Sequence, residues 1–300
     1  MSRWYMVERR MRHRSSSAAY GFIAFPLAAL FLFTLAPTVA GLGLSLFAWD
    51  GGGTPRFVGL HNFADLWTDA KFRPALRNTL LFVALSVPPT VVIGFLLAVA
   101  VHARWFVGRT AARTAYFLPT ILSIVAIGFI WRWLLDPEAG LVNWTLRGFG
   151  VERPPDWLND GWWPMASIVL VSVWRGVGFC MVLYLASLGS ISRSLYEAAE
   201  VDGASGWSVV RHVTWPQVAP TTAFLLITGV IGALQVFDIV FVMTGQVESD
   251  RTNVLNLYVY RQFSYGQLGY ASAVGVVIFT ITILATLAQL AWYGVRGRGV

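Results

Sequence analysis

Six stretches of nearly unbroken apolar residues run along the chain, separated by short polar segments rich in Gly and Pro. Each is long enough to cross a bilayer, which takes about 20 residues as a helix. They lie at 20–49, 79–102, 111–135, 163–188, 218–243 and 271–293. In lipid only a helix or a closed barrel satisfies every backbone polar group, and the alternating pattern of a barrel is absent from these runs. The expected fold is therefore all-α and polytopic, with six transmembrane helices and both termini on one side. The predicted organisation is a tail at 1–19, a first span at 20–49, a core of five spans at 75–293 and a second tail at 294–300.

Composition agrees with this pattern. Of 300 residues, 56% are hydrophobic and only 12% charged, against roughly 25% charged in soluble domains. Mean hydropathy is +0.62. The net charge of +7 would raise nucleic acid as a partner for a soluble protein. Here the cations sit in tails and loops beside the spans, so they point to orientation and not to nucleic acid. Arg3, Arg9, Arg10, Arg12 and Arg14 precede the first span, and Arg104, Arg109 and Arg113 fill the second loop. Arg193 and Arg211 flank the loop before the fifth span, and Arg296 and Arg298 end the chain. The positive-inside rule places that set, and with it both termini, in the cytoplasm. The basic N-terminus precedes a long apolar run without a small-residue cleavage pattern, so it reads as a tail before a retained span.

Several chemistries lack their residues. The only lysine, Lys71, lies in "DAKFRP", so no phosphate-cradling G-x-x-x-x-G-K-[ST] loop exists. His13, His61, His102 and His212 are scattered without metal-ligand spacing, and the single cysteine, Cys180, lies within an apolar run. No catalytic or metal residues are expected. Transport, signalling or scaffolding remain.

One polar island stands out, "LYEAAEVDGASGWSVVRHVTWPQVAP", from Leu195 to Pro220. "ISRSLYEAAEV" favours a helix, with Ser192 or Ser194 as its cap and glutamates in the early turns. "DGASG" stops it. Ser205 or Ser208 then caps a second short helix through Val210, which "TWP" ends. An ordinary interfacial helix would be basic with aromatic anchors. This one leads with Glu197, Glu200 and Asp202 beside Ala198, Ala199 and Ala204, which suits close docking of a basic protein groove.

Glu197-Ala198-Ala199, Asp202-Gly203-Ala204-Ser205 and the later "VTWPQVAP" together resemble the EAA loop of binding-protein-dependent ABC importer permeases. Trp215 stands where that family usually has an aliphatic residue. "FVGLHNFADL", "RTAYFLPTILS", "IWRWLLDPEAGLVN", "VSVWRGVGFCMVLYLASLGSI" and "LQVFDIVFVMTG" extend the resemblance nearly end to end. They are similar to the carbohydrate-uptake branch, in particular the first permease of maltose and glycerol-3-phosphate type systems, and "MTGQVESDRT" departs from the usual Gly-Gly-Pro. The resemblance implies a type I importer fold in the bacterial inner membrane. Residues 193–216, with Glu197, Ala198, Ala199, Asp202, Gly203 and Ala204, would be the coupling element.

Polar residues at membrane depth are costly and face a cavity or another helix. Ser172, Arg175, Gly176 and Phe179 share one helical face, while Gln235 with Asp238 and Thr120 with Ser123 form i, i+3 pairs. Such residues line a path for a hydroxylated solute or glue helices together, and an Arg175–Asp238 ion pair would be structural. Helix packing is the stronger rival for Thr120 and Ser123. Arg132, beside Trp131 and Trp133 near a span end, reads as snorkelling. The resemblance raises Ser172, Gly176, Phe179 and Gln235 as positions near a sugar.

The resemblance also implies the assembly: a second permease in a heterodimer, two cytoplasmic ATPases holding the ATP and magnesium, and an external sugar-binding protein, all set in membrane lipid. The chain itself would need no cofactor. The same architecture could carry a glycerol phosphate, a polyol or a peptide. An ATP-independent secondary transporter is the alternative from another class.

Overall fold

The computed structural model describes residues 20, 22–103, 108–244 and 249–296. The predicted tail at 1–19 with its arginines, residues 297–300 of the second tail predicted at 294–300, and Arg104 lie outside the described residues, as do residues 245–248 of "MTGQVESDRT", whereas Arg296 ends the last described helix.

Chain contacts divide the protein into two compact units. The smaller comprises residues up to Asp65 together with Gln262–Val276. Its first helix, α1, spans Phe22–Leu44. It stops short of the 20–49 expected from the apolar run. After Ser45 the chain enters a two-stranded antiparallel hairpin, β1 (Phe47–Ala48) and β2 (Arg56–Phe57). The buried amide of Asn62 donates to the Ser45 and Phe47 carbonyls at 2.8 and 3.0 Å, which gives the strand-like segment partners that a helix would have supplied. A Cβ at Gly269 would fall inside van der Waals contact of the Phe47 carbonyl, so backbone meets backbone there.

The larger unit comprises Leu66–Arg261 and Val277 onward. A short helix, α2, spans His61–Thr68 across the division. The unit's long helices are α3 (Phe72–His102) and, after α4 (Arg109–Ile121), α5 (Ile124–Leu134) and α6 (Leu141–Gly148), α7 (Trp163–Ser190). The chain continues through α8 (Arg193–Val201), α9 (Trp207–Gln217), α10 (Ala219–Leu234), α11 (Asp238–Thr244), α12 (Leu255–Ser264) and α13 (Leu268–Arg296). Four helices, α1, α3, α7 and the Leu268–Gly294 part of α13, are each long and apolar enough to cross a membrane. The bent pairs α4–α5 and α9–α10 bring the number to six if each is one crossing.

Small residues set the packing of α3 on α7. A Cβ on Gly94 would lie 2.5 Å from that of Cys180, and one on Gly176 would lie 2.9 Å from Thr90. Both pairs are offset by 86 residues, so the two helices run parallel. The chain must therefore return across their length between them, which α4 and α5 can accomplish. By contrast α10 runs antiparallel to α7, with Tyr184 bonded to Thr222 and Gly229 against Val87, which lies near the α3 residues that meet the earlier part of α7. Close backbone approach replaces the hydrophobic driving force that helices lack in lipid. The buried core between these helices includes Phe82, Val91, Phe95, Ile168, Met181, Tyr184, Leu225 and Val240.

Three expectations are corrected. The helix of the second span begins at Phe72 and not Thr79, because Asp69 accepts the Lys71 N–H at 2.7 Å and starts the helix about two turns earlier. The run 111–135 is not one straight helix. It turns by 97° between α4 and α5, where Leu122 and Ser123 adopt extended backbone angles. The run 218–243 is likewise divided: α10 ends at Leu234, and Gln235–Phe237 separate it from α11. The short helices α5 and α11 then pack together, Gly128 admitting the Val242 side chain.

The π-turns at Phe31–Leu35 and Val210–Thr214 precede Pro37 and Pro216. A proline clashes with the carbonyl four residues back and cannot donate to it. In each case that carbonyl, of Phe33 or His212, lies within the widened turn, which makes room for the ring.

Outside the spans, the Asp136 carboxylate accepts the backbone N–H groups of Ala139 and Glu138 at 2.8 and 3.0 Å. These bonds, the Ala139 bond foremost, hold its carboxyl below the usual range. Buried Asn143 closes the same region: it donates to the Pro137 and Pro155 carbonyls and accepts the Trp157 indole N–H at 2.7 Å.

Candidate functional site

Where α3, α7 and α10 diverge, the larger unit holds a cavity of about 370 Å³. Its walls are mostly apolar, from Val87, Val91, Val171, Leu225 and Ile239. Its polar groups are Ser86 and Thr90 from α3, Ser172 and Arg175 from α7, and Gln235 and Asp238 from the break between α10 and α11. A few convergent polar groups in an apolar cleft between helices is the usual form of a small-molecule site.

Local structure places each of them. Ser172 and Arg175 are almost one helical turn apart on α7, and Gly176 leaves room for Thr90 beside them. The hydroxyls of Ser86, Thr90 and Ser172 each donate to the carbonyl four residues earlier, at 2.5, 2.7 and 2.7 Å. Their lone pairs remain available as acceptors. Gln235 terminates α10 and Asp238 starts α11, so the break sets an amide and a carboxylate at the cavity wall. Arg175 Nε is buried and has no hydrogen-bond partner among the described residues.

Five of the eight residues predicted for the solute path therefore meet: Ser172, Arg175, Gly176, Gln235 and Asp238. No ion pair joins Arg175 to Asp238 among the described residues, so the structural bridge between them is not made. The other three lie apart from the lining. Phe179 is 43% exposed. Thr120 donates to the Arg175 carbonyl at 3.0 Å, which is helix packing. Ser123 is exposed at the α4–α5 turn, its carbonyl accepting the Ile127 N–H. Arg132 is exposed in the last turn of α5, as a snorkelling residue would be. Sequence reasoning missed Ser86 and Thr90. Their signal was two hydroxyls four residues apart astride Pro88–Pro89 in an otherwise apolar span.

The polar island folds as helix, turn and helix. Ala199 is buried, whereas Glu197, Ala198, Glu200 and Asp202 are exposed. Glu197 meets Arg193 at 3.0 Å one turn earlier, a solvent-exposed pair. The Ala204 N–H returns to the Ala199 carbonyl at 2.9 Å around Gly203, whose φ of +75° only glycine adopts without strain. Two details differ from expectation. The Ser192 hydroxyl bonds Ser194 Oγ at 2.7 Å and makes no cap to the α8 backbone, whose first turn carries no acidic residue. The second helix does not end at "TWP": it continues to Gln217 through the π-turn, then bends by 67° into α10.

This loop is joined to the core by contacts. Tyr196 OH lies 3.3 Å from Thr214 Oγ1, and the Trp215 ring meets Phe95 edge-on with centroids 5.0 Å apart. Phe95 in turn meets Tyr184 at 5.3 Å.

Comparison with known proteins agrees with this architecture. The chain is 34% identical over 282 residues to the lactose transport system permease protein LacF of Rhizobium radiobacter, covering 92% of this chain and 93% of that one. It is 31% identical over 286 residues to the alpha-glucoside transport system permease protein AglF of Rhizobium meliloti, covering 93% and 83%. In fold it matches a bacterial ABC transporter involved in the import of the acidic polysaccharide alginate, with a TM-score of 0.82, 24% identity and coverage of 95% and 98%. A family model described as binding-protein-dependent transport system inner membrane component matches residues 69–292. That span takes in both the cavity and the polar island, and the chain belongs to this family of membrane permeases, which carry solutes and are not enzymes.

Proposed function

We propose that this chain is one permease subunit of an ATP-driven ABC importer that takes up a sugar or oligosaccharide. The observation that carries the reading is the cavity, where hydroxyls, an amide, a guanidinium and a carboxylate converge between apolar walls. A sugar presents hydroxyls that donate and accept, and apolar ring faces. The set supplies acceptors for the former, donors for the latter and apolar walls for the ring. The names of LacF and AglF, with lactose and alpha-glucosides, support the same solute class.

In this reading a second permease completes the pore, an external binding protein delivers the solute and two cytoplasmic ATPases hold ATP and magnesium. Residues Glu197, Ala198, Ala199, Asp202, Gly203 and Ala204 form the element on which an ATPase docks, with buried Ala199 seating it on the protein and the exposed residues facing the partner, and Leu195–Trp215 transmits its movement. A shift of this element acts on α10 through the Val218 bend and on α3 through Phe95, opening the cavity to alternate sides. One observation favours a solute bearing an acidic group: Arg175 Nε is buried and unpaired among the described residues.

The test is uptake by the reconstituted assembly, normalised to the amount of permease. Arg175→Ala and Gln235→Ala are expected to change rate or solute preference while the protein remains folded. Unchanged transport per molecule in both variants would assign the cavity to helix packing alone.

A further inference from the structure

A second cavity, of about 750 Å³, lies within the larger unit on the other side of the α3–α7 pair from the polar one. Its walls are apolar: Leu81, Leu85, Pro89 and Ile93 from α3 face Met165, Val169 and Leu170 from α7. From Arg77 to Ile93 the groove follows α3 for roughly 24 Å at 1.5 Å per residue. One leaflet contributes about half of the roughly 30 Å hydrocarbon core, so a single acyl chain fits along it.

One end of this groove is different. Arg77, Arg251 and Trp162 border it there, and all three are exposed. Arg251 comes from a distant loop, and the position of that loop is fixed. Buried Asn78, next to Arg77, donates to the carbonyls of Asp250 and Asn253 at 2.7 and 3.0 Å, so Arg251 is clamped beside α3. Thr79 Oγ1 accepts the Leu255 N–H at 2.9 Å and secures the same segment. The acid facing Arg251 is Asp160, 3.6 Å away in a solvent-exposed pair that a stronger anion can displace. Trp162 stacks on Trp163 at 4.1 Å, the kind of aromatic pair found at the level of headgroups.

We propose that this groove binds one anionic phospholipid, with an acyl chain between α3 and α7 and its phosphate between Arg77 and Arg251. Two exposed guanidiniums at one end of an apolar furrow, one on α3 and one on the loop that Asn78 ties to it, complement a phosphodiester and a hydrocarbon tail together. An apolar helix of a neighbouring subunit would fill the furrow but bring no anion to Arg77 and Arg251. The inference holds whichever solute the protein carries.

The test compares phosphatidylglycerol with phosphatidylcholine of identical chains, counted on the purified assembly by native mass spectrometry after delipidation. Wild type should retain phosphatidylglycerol preferentially. Arg77→Ala and Arg251→Ala should each weaken that retention roughly fivefold, the loss expected for one cation at a charged surface. Ala166 also lines the furrow from α7, and Ala166→Phe, which narrows it and keeps both charges, should weaken retention as well. Equal retention of the two lipids, or preference that survives in the double arginine variant, overturns the proposal. Loss of the second permease from the Ala166→Phe preparation also overturns it, because the groove is then a subunit contact.

Discussion

The Tyr184 hydroxyl donates to Thr222 Oγ1 at 2.9 Å, joining the C-terminal part of α7 to the first turn of α10 in the buried core. Phe95 packs edge-on against Tyr184 and against Trp215, so one aromatic ring touches both the core and the element that leads out of the polar island. Removing the hydroxyl alone, in Tyr184→Phe, leaves Thr222 still bonded to the Val218 carbonyl. A loss of about 1 kcal/mol in stability is expected, read as a lower unfolding temperature of the purified protein. Trp215→Ala, at a residue 40% exposed, should lower ATP-coupled uptake more than it lowers stability.

Gly178 meets the backbone of Tyr116 and Phe117 so closely that no Cβ can be accommodated. Gly178→Ala should push α4 away from α7 at a cost of about 1–3 kcal/mol. Gly189→Ala has open space around it among the described residues and should be nearly neutral or slightly stabilising. Thermal unfolding of the two variants side by side checks the difference.

At the polar island, Glu197 is exposed and its ion pair with Arg193 is solvent-exposed too, so Glu197→Lys should cost little stability. It should nevertheless reduce co-purification of the ATPase and uptake, because the charge offered to a basic groove is reversed. Gly203→Asp adds local strain at a positive φ. Co-purification at wild-type yield together with normal uptake in Glu197→Lys would remove this surface from the docking site.

In the cavity, Arg175→Ala removes the only cation of the lining among the described residues. A charged hydrogen bond contributes about 1.5–3 kcal/mol, so transport per molecule should fall at least about tenfold if the solute meets Arg175. Gln235→Ala, a neutral partner worth about 1 kcal/mol, should lower it about fivefold. Measured initial uptake rates at matched permease content decide between the two magnitudes.

Much of this was visible in the residues. The apolar runs at 163–188 and 271–293 became α7 and α13 with small shifts at their ends, because uninterrupted hydrophobicity of that length has one solution in lipid. Gly203 as the stop of α8 was equally legible, since few residues but glycine accept its backbone angles. The bends were not. Leu122–Ser123 and Gln235–Phe237 lie inside runs that are apolar on both sides, and hydropathy carries no information about direction. The face of Ser172, Arg175 and Gly176 followed from helical spacing. Ser86 and Thr90 complete the same cavity from another helix, and only the parallel offset of α3 and α7, set by Gly94 and Gly176, brings them there.

The most direct test of the account is uptake into vesicles containing this permease, its partner permease, the binding protein and the ATPases. The account predicts labelled oligosaccharide accumulation that requires ATP and disappears with a hydrolysis-dead ATPase or with Glu197→Lys. Accumulation that persists undiminished with the dead ATPase would contradict it.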